Sequence, residues 1–588
     1  MATTDNKKLN LSLLAKVIAL AKPYRMVFIL AALLAVVLAP LSVLRPRLVN
    51  VMVDDYIFKY DLSGLGKIAL LLVGLLLIEF VLEYIFQYST SWLGQSVVRD
   101  LRVRVFRHIT SLRLNFFDKT PVGVSTTRTI NDIEAINQIF AEGIITMIAD
   151  MLTVVAVIAM MLYTSWTLTL VCMLTLPLLI LSSYIFQKKV RASFQIVRTQ
   201  IAKMNAFLQE RITGMRTVQI FHAEKQEAAK FKEINHEYTR ANLRSVFYYA
   251  IFFPVVEVIA AASLGLMVWY GARGVIGGDV TLGALIAFPI YINMLFRPIR
   301  MLADKFNTLQ MGLVASERVF GILEQTDRIE NQGNQKVEKF KGEVEFDHVW
   351  FAYNDENYVL KDVSFHIQPG KTLAIVGSTG SGKTTIINLL NRFYDIQKGH
   401  IKIDGTDVRE YDLYAMRRKI ALVLQDVFLF SGSVLDNITM RDSDITREQV
   451  IAAAEMIGAH DFIMRLPGGY DYQVMERGAT LSMGQRQLVS FVRALVFNPD
   501  ILILDEATSS IDPESESIIQ YAIEKLIAKR TSIIIAHRLT TIRHANNILV
   551  LHKGEVQEYG THEALLKNED GHYRQLYEMQ FLQMAEEV

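Results

Sequence analysis

An α-helical membrane domain of six transmembrane helices, followed by an α/β P-loop domain, is the fold class that the sequence predicts. Three observations carry it. The 588 residues are 51% hydrophobic with a mean hydropathy of +0.26, too long for one compact domain and too apolar for a chain surrounded only by water. Six apolar stretches of about 20 residues, the length that crosses a hydrocarbon core as helix, occupy the first half. In the second half short β-rich runs alternate with helical segments around a glycine-rich loop, GSTGSGKT.

Charge and cysteine content exclude more than they assign. Lys and Arg number 61 against 60 Asp and Glu, a formal net charge of +1, which points neither to nucleic acid nor to an acidic partner. The single cysteine, Cys172, lies in an apolar run, excludes intrachain disulfides and cysteine-rich metal sites, and reads as a small buried hydrophobe.

The N-terminal segment Met1 to Arg25 lacks a signal-peptide cleavage pattern and reads as an amphipathic helix lying on the membrane surface, with Lys16 and Lys22 on its polar side. The six spans run near Met26 to Asn50, Leu65 to Tyr88, Ala141 to Tyr163, Trp166 to Phe186, Phe247 to Tyr270 and Leu282 to Pro298. Their connections alternate. Asp54 to Gly64, Thr164 to Ser165 and Gly271 to Val280 are short, and the first carries Asp54, Asp55 and Asp61. Ser89 to Phe140 and Gln187 to Val246 are long; they carry Arg99, Arg102, Arg104, Arg107 and Arg113, then Lys188, Lys189, Arg191 and Arg198. Basic connections stay in the cytoplasm, so both termini are predicted there. Apolar residues recur at helical spacing within the long connections, as in Val97, Leu101, Val105 and Ile109, so the spanning helices are predicted to continue beyond the membrane. The periodicity breaks at Phe116 to Gly123 and at Ile212 to Phe221, where Pro121, Gly123 and Gly214 permit sharp turns. A short transverse helix suited to docking on another domain is expected at each tip.

A polar linker, EQTDRIENQGNQKVEKFKG, precedes the second half. There GSTGSGKT, Gly377 to Thr384, follows the apolar strand TLAIV and opens the helix TTIINLLNRF, the context that gives this pattern meaning. The glycines let backbone N–H groups along Gly377, Ser378, Thr379, Gly380, Ser381 and Gly382 cradle phosphates. Lys383 reaches the β and γ oxygens, Thr384 ligates Mg²⁺, and the helix start, which includes Thr385, adds favourable partial charge. ILILDEA, Ile501 to Ala507, is a buried strand ending in two carboxylates, the arrangement that holds Mg²⁺ through Asp505 and polarises an attacking water through Glu506. ATP and Mg²⁺ are the cofactors expected.

LSMGQRQ, Leu481 to Gln487, stands just upstream of ILILDEA, and with this order of motifs the sequence resembles the ATP-binding cassette (ABC) superfamily. The resemblance implies that Ser482, Gly484 and Gln485 contact the γ-phosphate of ATP held by the opposite protomer, so that the catalytic sites are composite. Read alone, Ser482 is a helix N-cap, and the two roles are compatible. By the same resemblance Tyr353, in FAYNDENYVL, stacks on adenine. Gln425, in IALVLQDVFLF, joins Mg²⁺ and senses the membrane domain, and Asp512, in SSID, is the acid of the loop coupling the two sites. His537, in IIIAHR, contacts the γ-phosphate and orients the water, while Glu476, in MERGATLS, matches the exporter-type segment that meets the intracellular tips. One departure is Met483, where the family usually has Gly.

The resemblance covers nearly the whole chain, six spans first and cassette second, as in exporters of the multidrug and lipid-flippase type. RHITSLRLNFFDKTPVG is similar to the segment after the second span of bacterial half-transporters. The domains implied are a membrane domain over 1–325, a linker over 326–342 and an ABC ATPase domain over 343–588. The resemblance further implies an integral protein of the bacterial inner (plasma) membrane, its ATPase domain cytoplasmic, in contact with membrane lipids. Its partner is a second half-transporter, the same or a paralogous chain, since Glu506 is present. The activity implied is ATP-driven export or flipping of a hydrophobic or amphipathic small molecule, lipid or peptide by alternating access. Uptake of a metal-chelating siderophore and a non-pumping regulatory ATPase stay open on this architecture; a soluble cassette acting on DNA or ribosomes is excluded by the spans.

Substrate contacts are sought among polar residues inside spans, because intramembrane charge faces a cavity or a partner charge. These are Arg45 and Arg47 around Pro46, Glu79, Glu83, Asp150, Glu257, Asn293 and Arg297, whereas Met294 and Phe296 read as packing surface. If Arg45 and Arg47 line the outer pathway, an amphipathic or anionic substrate would suit them; Arg45, Arg47 and Arg297 read equally as structural ion pairs or as side chains snorkelling near the span ends.

Overall fold

In the computed structural model the described residues are 11–331, 333–354, 357–505, 513–535 and 542–586. The chain forms two compact units, one of Met1–Ser111 with Thr120–Gln325, the other of Leu112–Lys119 with Thr326–Val588.

The first unit is helical. Among the described residues six helices are long and apolar enough to cross a membrane: Lys22–Ile57, Leu62–Thr110, Val122–Thr164, Trp166–Thr213, Glu224–Gly277 and Leu282–Leu323. Each contains one of the apolar stretches. The helices far outrun the lipid: the 54 residues of Glu224–Gly277 rise roughly 80 Å at 1.5 Å each, against a core of about 30 Å. Short connections are made tight by side-chain caps. Asp61 accepts from the N–H groups of Ser63 and Gly64, Ser165 from that of Leu168 and Thr281 from that of Ala284. Val157, Met161, Cys172, Met267, Phe288 and Tyr291 are buried together between helices, so the lone cysteine is a core residue. Outward faces stay apolar, with Leu70 and Phe80 about two-thirds or more exposed, a surface stable against lipid or further helices rather than water. Ahead of the membrane helices, Leu11–Ala19 is a helix, and residues 1–10 of the predicted N-terminal segment lie outside the described residues.

The second unit is α/β. Its strands are β1 (Val344–Ala352), β2 (Tyr358–Ile367), β3 (Thr372–Val376), β4 (Lys398–Ile403), β5 (Thr406–Asp407), β6 (Ile420–Val423), β7 (Gly432–Ser433), β8 (Gln473–Val474), β9 (Ile501–Asp505), β10 (Thr531–Ile535), β11 (Asn547–His552) and β12 (Glu555–Gly560). A six-stranded sheet runs β12-β11-β3-β10-β9-β6, and a four-stranded antiparallel sheet runs β2-β1-β4-β5. β3, β10, β9 and β6 are mutually parallel, Ile535 standing opposite both Ile375 and Asp505. Every residue of β3, β9 and β10 is buried, which is why these strands read as unbroken aliphatic runs. Alternate side chains feed two cores. Leu502, Leu504 and Ile534 join Leu488, Val489 and Phe491 of the helix Met483–Val496, whereas Ile501, Ile503 and Ile533 join Ile386, Ile387 and Leu390 of the helix Lys383–Leu390.

Short helices occur at both expected tips, Leu114–Lys119 and Met215–Ile220. The first belongs to the second unit. Phe116 is buried, Arg113 donates to Asp395 at 3.0 Å and pairs with Asp327 at 3.4 Å, and the Tyr394 hydroxyl donates to the Asp118 carboxylate.

Candidate functional site

Parallel strands place their carboxyl ends on one edge of a sheet, and loops there form the crevice that binds ligands. β3 leads at that edge into the phosphate loop, β9 ends there at Asp505, and Gln425 lies two residues beyond β6. The loop turns on glycine. Gly377 has φ 153°, and a Cβ there would stand 2.2 Å from the Leu551 carbonyl; Gly382 has φ 104° and would press within 2.6 Å of Leu360. The Lys383 ammonium is folded back into the loop, 2.8 Å from the Gly377 carbonyl and 3.1 Å from that of Ser378. Ser381 Oγ is buried and has no hydrogen-bond partner among the described residues, while Thr384 is exposed at the start of its helix. An unmatched hydroxyl, a buried cation and a helix N-terminus around a glycine turn fit a phosphate chain.

Asp505 is buried and Gln425 exposed. Together with Thr384 they offer side-chain oxygens of the hard kind, one carboxylate among the three. Such a sparse set suits Mg²⁺, which takes one or two carboxylates and completes its shell with phosphate oxygens and water. Among the described residues no group of three or more His, Cys, Asp or Glu is arranged for a metal, so a wholly protein-built cage is absent there.

Tyr353 follows β1 and presents a partly exposed ring. Its hydroxyl lies 3.2 Å from Thr385 Oγ1 and accepts from Asn388 at 3.3 Å, which ties the ring to the helix after the phosphate loop. The Tyr394 ring meets it edge-to-face at 5.0 Å. Burial, and then the Asp118 carboxylate, hold the Tyr394 phenol well above its ordinary range, so its hydroxyl stays a donor. No motif or periodicity points to Tyr394: its significance lies in contacts with residues distant along the chain.

Ser482 is exposed and caps the helix Met483–Val496, accepting from the Gln485 N–H at 3.2 Å while Gln485 Oε1 accepts from the Ser482 N–H at 3.0 Å. Gly484 is buried, Met483 half-buried, and Glu476 opens a single 3₁₀ turn beside them. Glu506, Asp512 and His537 lie outside the described residues.

The intramembrane candidates separate by their partners. Arg47 donates to Asn50 at 2.6 Å, lies 5.4 Å over the Tyr163 ring, and Asn50 in turn donates to Asp54, which accepts from the Gly283 N–H at 2.7 Å. Arg47 is thereby part of a tie between helices. Asp150 pairs with Lys305, Glu83 accepts from Gln87 at 3.2 Å, and Asn293 donates to the Pro289 carbonyl at 3.0 Å. Arg45 and Glu79 are half-buried, and Glu257 and Arg297 are exposed.

A family model for the ABC transporter transmembrane region matches residues 28–299, and one for the ABC transporter matches residues 360–509. Similar proteins align over nearly their whole length. The uncharacterized ABC transporter ATP-binding protein YknV of Bacillus subtilis (strain 168) is 38% identical over 563 residues, 95% of this chain and 93% of that one. The ATP-binding/permease protein YgaD of the same organism, named for multidrug export, is 36% identical over 569 residues, 95% of this chain and 98% of its own. An ATP-dependent lipid A-core flippase of Syntrophus aciditrophicus (strain SB) is 35% identical over 576 residues, 97% of this chain and 96% of its own. The chain therefore belongs to the ABC transporter family, as an exporter-type half-transporter in which a membrane domain is fused to a cassette that couples ATP hydrolysis to transport.

Proposed function

We propose that two such half-transporters, identical or paralogous, pair so that Ser482, Gly484 and Gln485 of each cover the ATP held by Gly377–Thr385 of the other. The observation that carries the proposal is the pairing, in one cassette, of a preformed phosphate cradle with a helix start at which exposed Ser482 and Gln485 cap each other, each side-chain oxygen accepting from the other's backbone N–H. Tyr353 stacks on the base, Lys383 leaves the loop carbonyls for the β and γ oxygens, and Thr384, Asp505 and Gln425 hold Mg²⁺. The ion, when bound, neutralises charge developing on the transferred phosphoryl group. Glu506 polarises the attacking water and accepts its proton, His537 orients that water, and Asp512 joins the two sites. Binding closes the cassettes and opens the membrane domains outward, and hydrolysis resets them.

The cargo proposed is a hydrophobic or amphipathic small molecule, lipid or peptide, in keeping with the multidrug-export and lipid A-core flippase names of relatives. Apolar outward faces along the spans, open to lipid, support entry of such molecules from the bilayer. We place the protein in the bacterial inner membrane with termini and cassette in the cytoplasm, on the charge asymmetry of the connections. Inside-out vesicles containing the protein test direction and cargo class together, with the cationic amphipath Hoechst 33342 and a fluorescent phospholipid as probes. ATP-dependent accumulation of either within the vesicles, absent with a non-hydrolysable analogue, is expected. ATP-driven uptake confined to right-side-out vesicles would reverse the assigned direction.

A further inference from the structure

Gln487 is an amide on a face of the helix Met483–Val496 that is otherwise packed with Leu488, Val489, Phe491 and Val492. It is only 2% exposed. An amide buried among apolar side chains is destabilising unless hydrogen bonds replace those it made to water, so its partners matter. Its Nε2 donates to the backbone carbonyl of Gln425 at 2.9 Å and to that of Leu424 at 3.4 Å. Its Oε1 is buried with no partner among the described residues. Beside this contact lies a cavity of about 150 Å³, lined by Gln425, Asp426, Arg477, Met483 and Arg486 as well as Gln487. Gln487 thus holds the loop that leaves β6 to the helix at Leu424 and Gln425, Arg493 of the same helix holds it again at the Phe428 carbonyl, and the cavity leaves space beside Gln425.

The same helix begins at Ser482, five residues before Gln487, a rise of only about 7.5 Å along a rigid axis. Resting on the composite-site reading above, we infer that Gln487 is a positioning residue that fixes the backbone of Gln425 to the signature helix, so that engagement of Ser482 by the partner's ATP sets where Gln425 stands in its own chain's site. A displacement of the helix start cannot be absorbed within five helical residues. It moves the two carbonyls held by Gln487, and the adjoining cavity lets the loop follow without a clash. The two nucleotide sites of a dimer are thereby coupled through one helix turn and one amide, in addition to any coupling through the membrane domain.

The test uses the full chain in proteoliposomes, with ATPase rate measured against ATP concentration. Gln487→Met keeps the length of the side chain and removes the donor. It should lower kcat about tenfold, equivalent to ~1.4 kcal/mol, and bring the Hill coefficient for ATP from above 1 to about 1, while binding of a fluorescent ATP analogue stays unchanged. Gln487→Asn, which keeps the amide but withdraws it by one methylene, should fall between the two and serves if the Met variant does not fold. A merely structural residue would alter the amount of active protein and leave the Hill coefficient where it was; that result, or wild-type kinetics in both variants, overturns the inference, as does a Hill coefficient of 1 in the unaltered protein. Ser482→Arg and Gln425→Ala, measured alongside, separate the two levels: if neither lowers turnover, the composite-site reading itself fails.

Discussion

Glu506→Gln is expected to bind MgATP and hold it uncleaved, with turnover lower by about 10²- to 10⁴-fold, the usual cost of removing a general base. Gln matches the size and reach of Glu but neither accepts the proton of water nor carries the charge that polarises it. Everything proposed to bind nucleotide remains, namely the Gly377–Thr385 cradle, Asp505 and the facing Ser482. The cassettes should therefore close and stay closed. Spin labels on the two cassettes should report a short separation in MgATP, and radiolabelled ATP should remain occluded after rapid filtration. In a dimer of identical chains both sites stall; beside a paralogue that lacks the acid, this substitution alone silences nearly all turnover. Near-normal ATPase activity in a dimer of Glu506→Gln chains, or cassettes that remain apart in saturating MgATP, would remove Glu506 from its assigned role.

Lys383→Ala should abolish measurable turnover for a different reason. The ammonium is largely buried inside the loop, held by two carbonyls that it can exchange for phosphate oxygens. Loss of one such preorganised donor costs about 10²- to 10³-fold in kcat, and here the lost group also carries the charge that draws ATP in. The fold should survive, because the helix Lys383–Leu390 is anchored by Ile386, Ile387, Leu389 and Leu390, all buried and untouched by the change. Thermal unfolding at the wild-type midpoint, together with weakened binding of a fluorescent ATP analogue and no phosphate release, is the expected combination. Hydrolysis at the wild-type rate would refute the assignment of the loop.

Both variants act on features that composition and spacing reveal for physical reasons. A span must satisfy its backbone internally and face lipid, so a run such as Leu65 to Tyr88 announces itself by apolarity alone. β3, β9 and β10 are buried on both faces, so TLAIV, ILILD and TSIII stand out as unbroken aliphatic strings, and the residues at their carboxyl ends mark the ligand edge of the sheet. Contacts between distant residues leave no such trace. Tyr394 reaches Asp118 across 276 positions and Tyr353 through a ring edge, and neither spacing is periodic in anything. Gln487 reads as one more polar residue in a signature until its amide is seen on the carbonyls of Leu424 and Gln425. Arg47 shows the opposite difficulty. Its charge within a span suggests a substrate pathway, whereas Asn50 and Tyr163 engage it in a tie between helices, a matter of register that hydropathy does not encode. The tip Leu114–Lys119 is legible as a break in periodicity, but its grip on Asp395 and Tyr394 exists only in the folded cassette.

Completion of each nucleotide site by a second chain can be read by distributing two lesions within one dimer. Chains carrying different affinity tags are purified through both tags, so that every dimer contains one copy of each. In the first arrangement Lys383→Ala and Ser482→Arg are on the same chain beside an unaltered one; in the second they are on opposite chains. If Ser482 of one chain serves the loop of the other, the first arrangement damages both sites, whereas the second concentrates both lesions in one site and leaves the other whole. Trapping of MgADP with vanadate then reads the number of working sites. Trapping is expected at one site per dimer when the lesions are on opposite chains and at none when they share a chain; the reverse pattern would show that each chain builds its own site and would rule out composite sites.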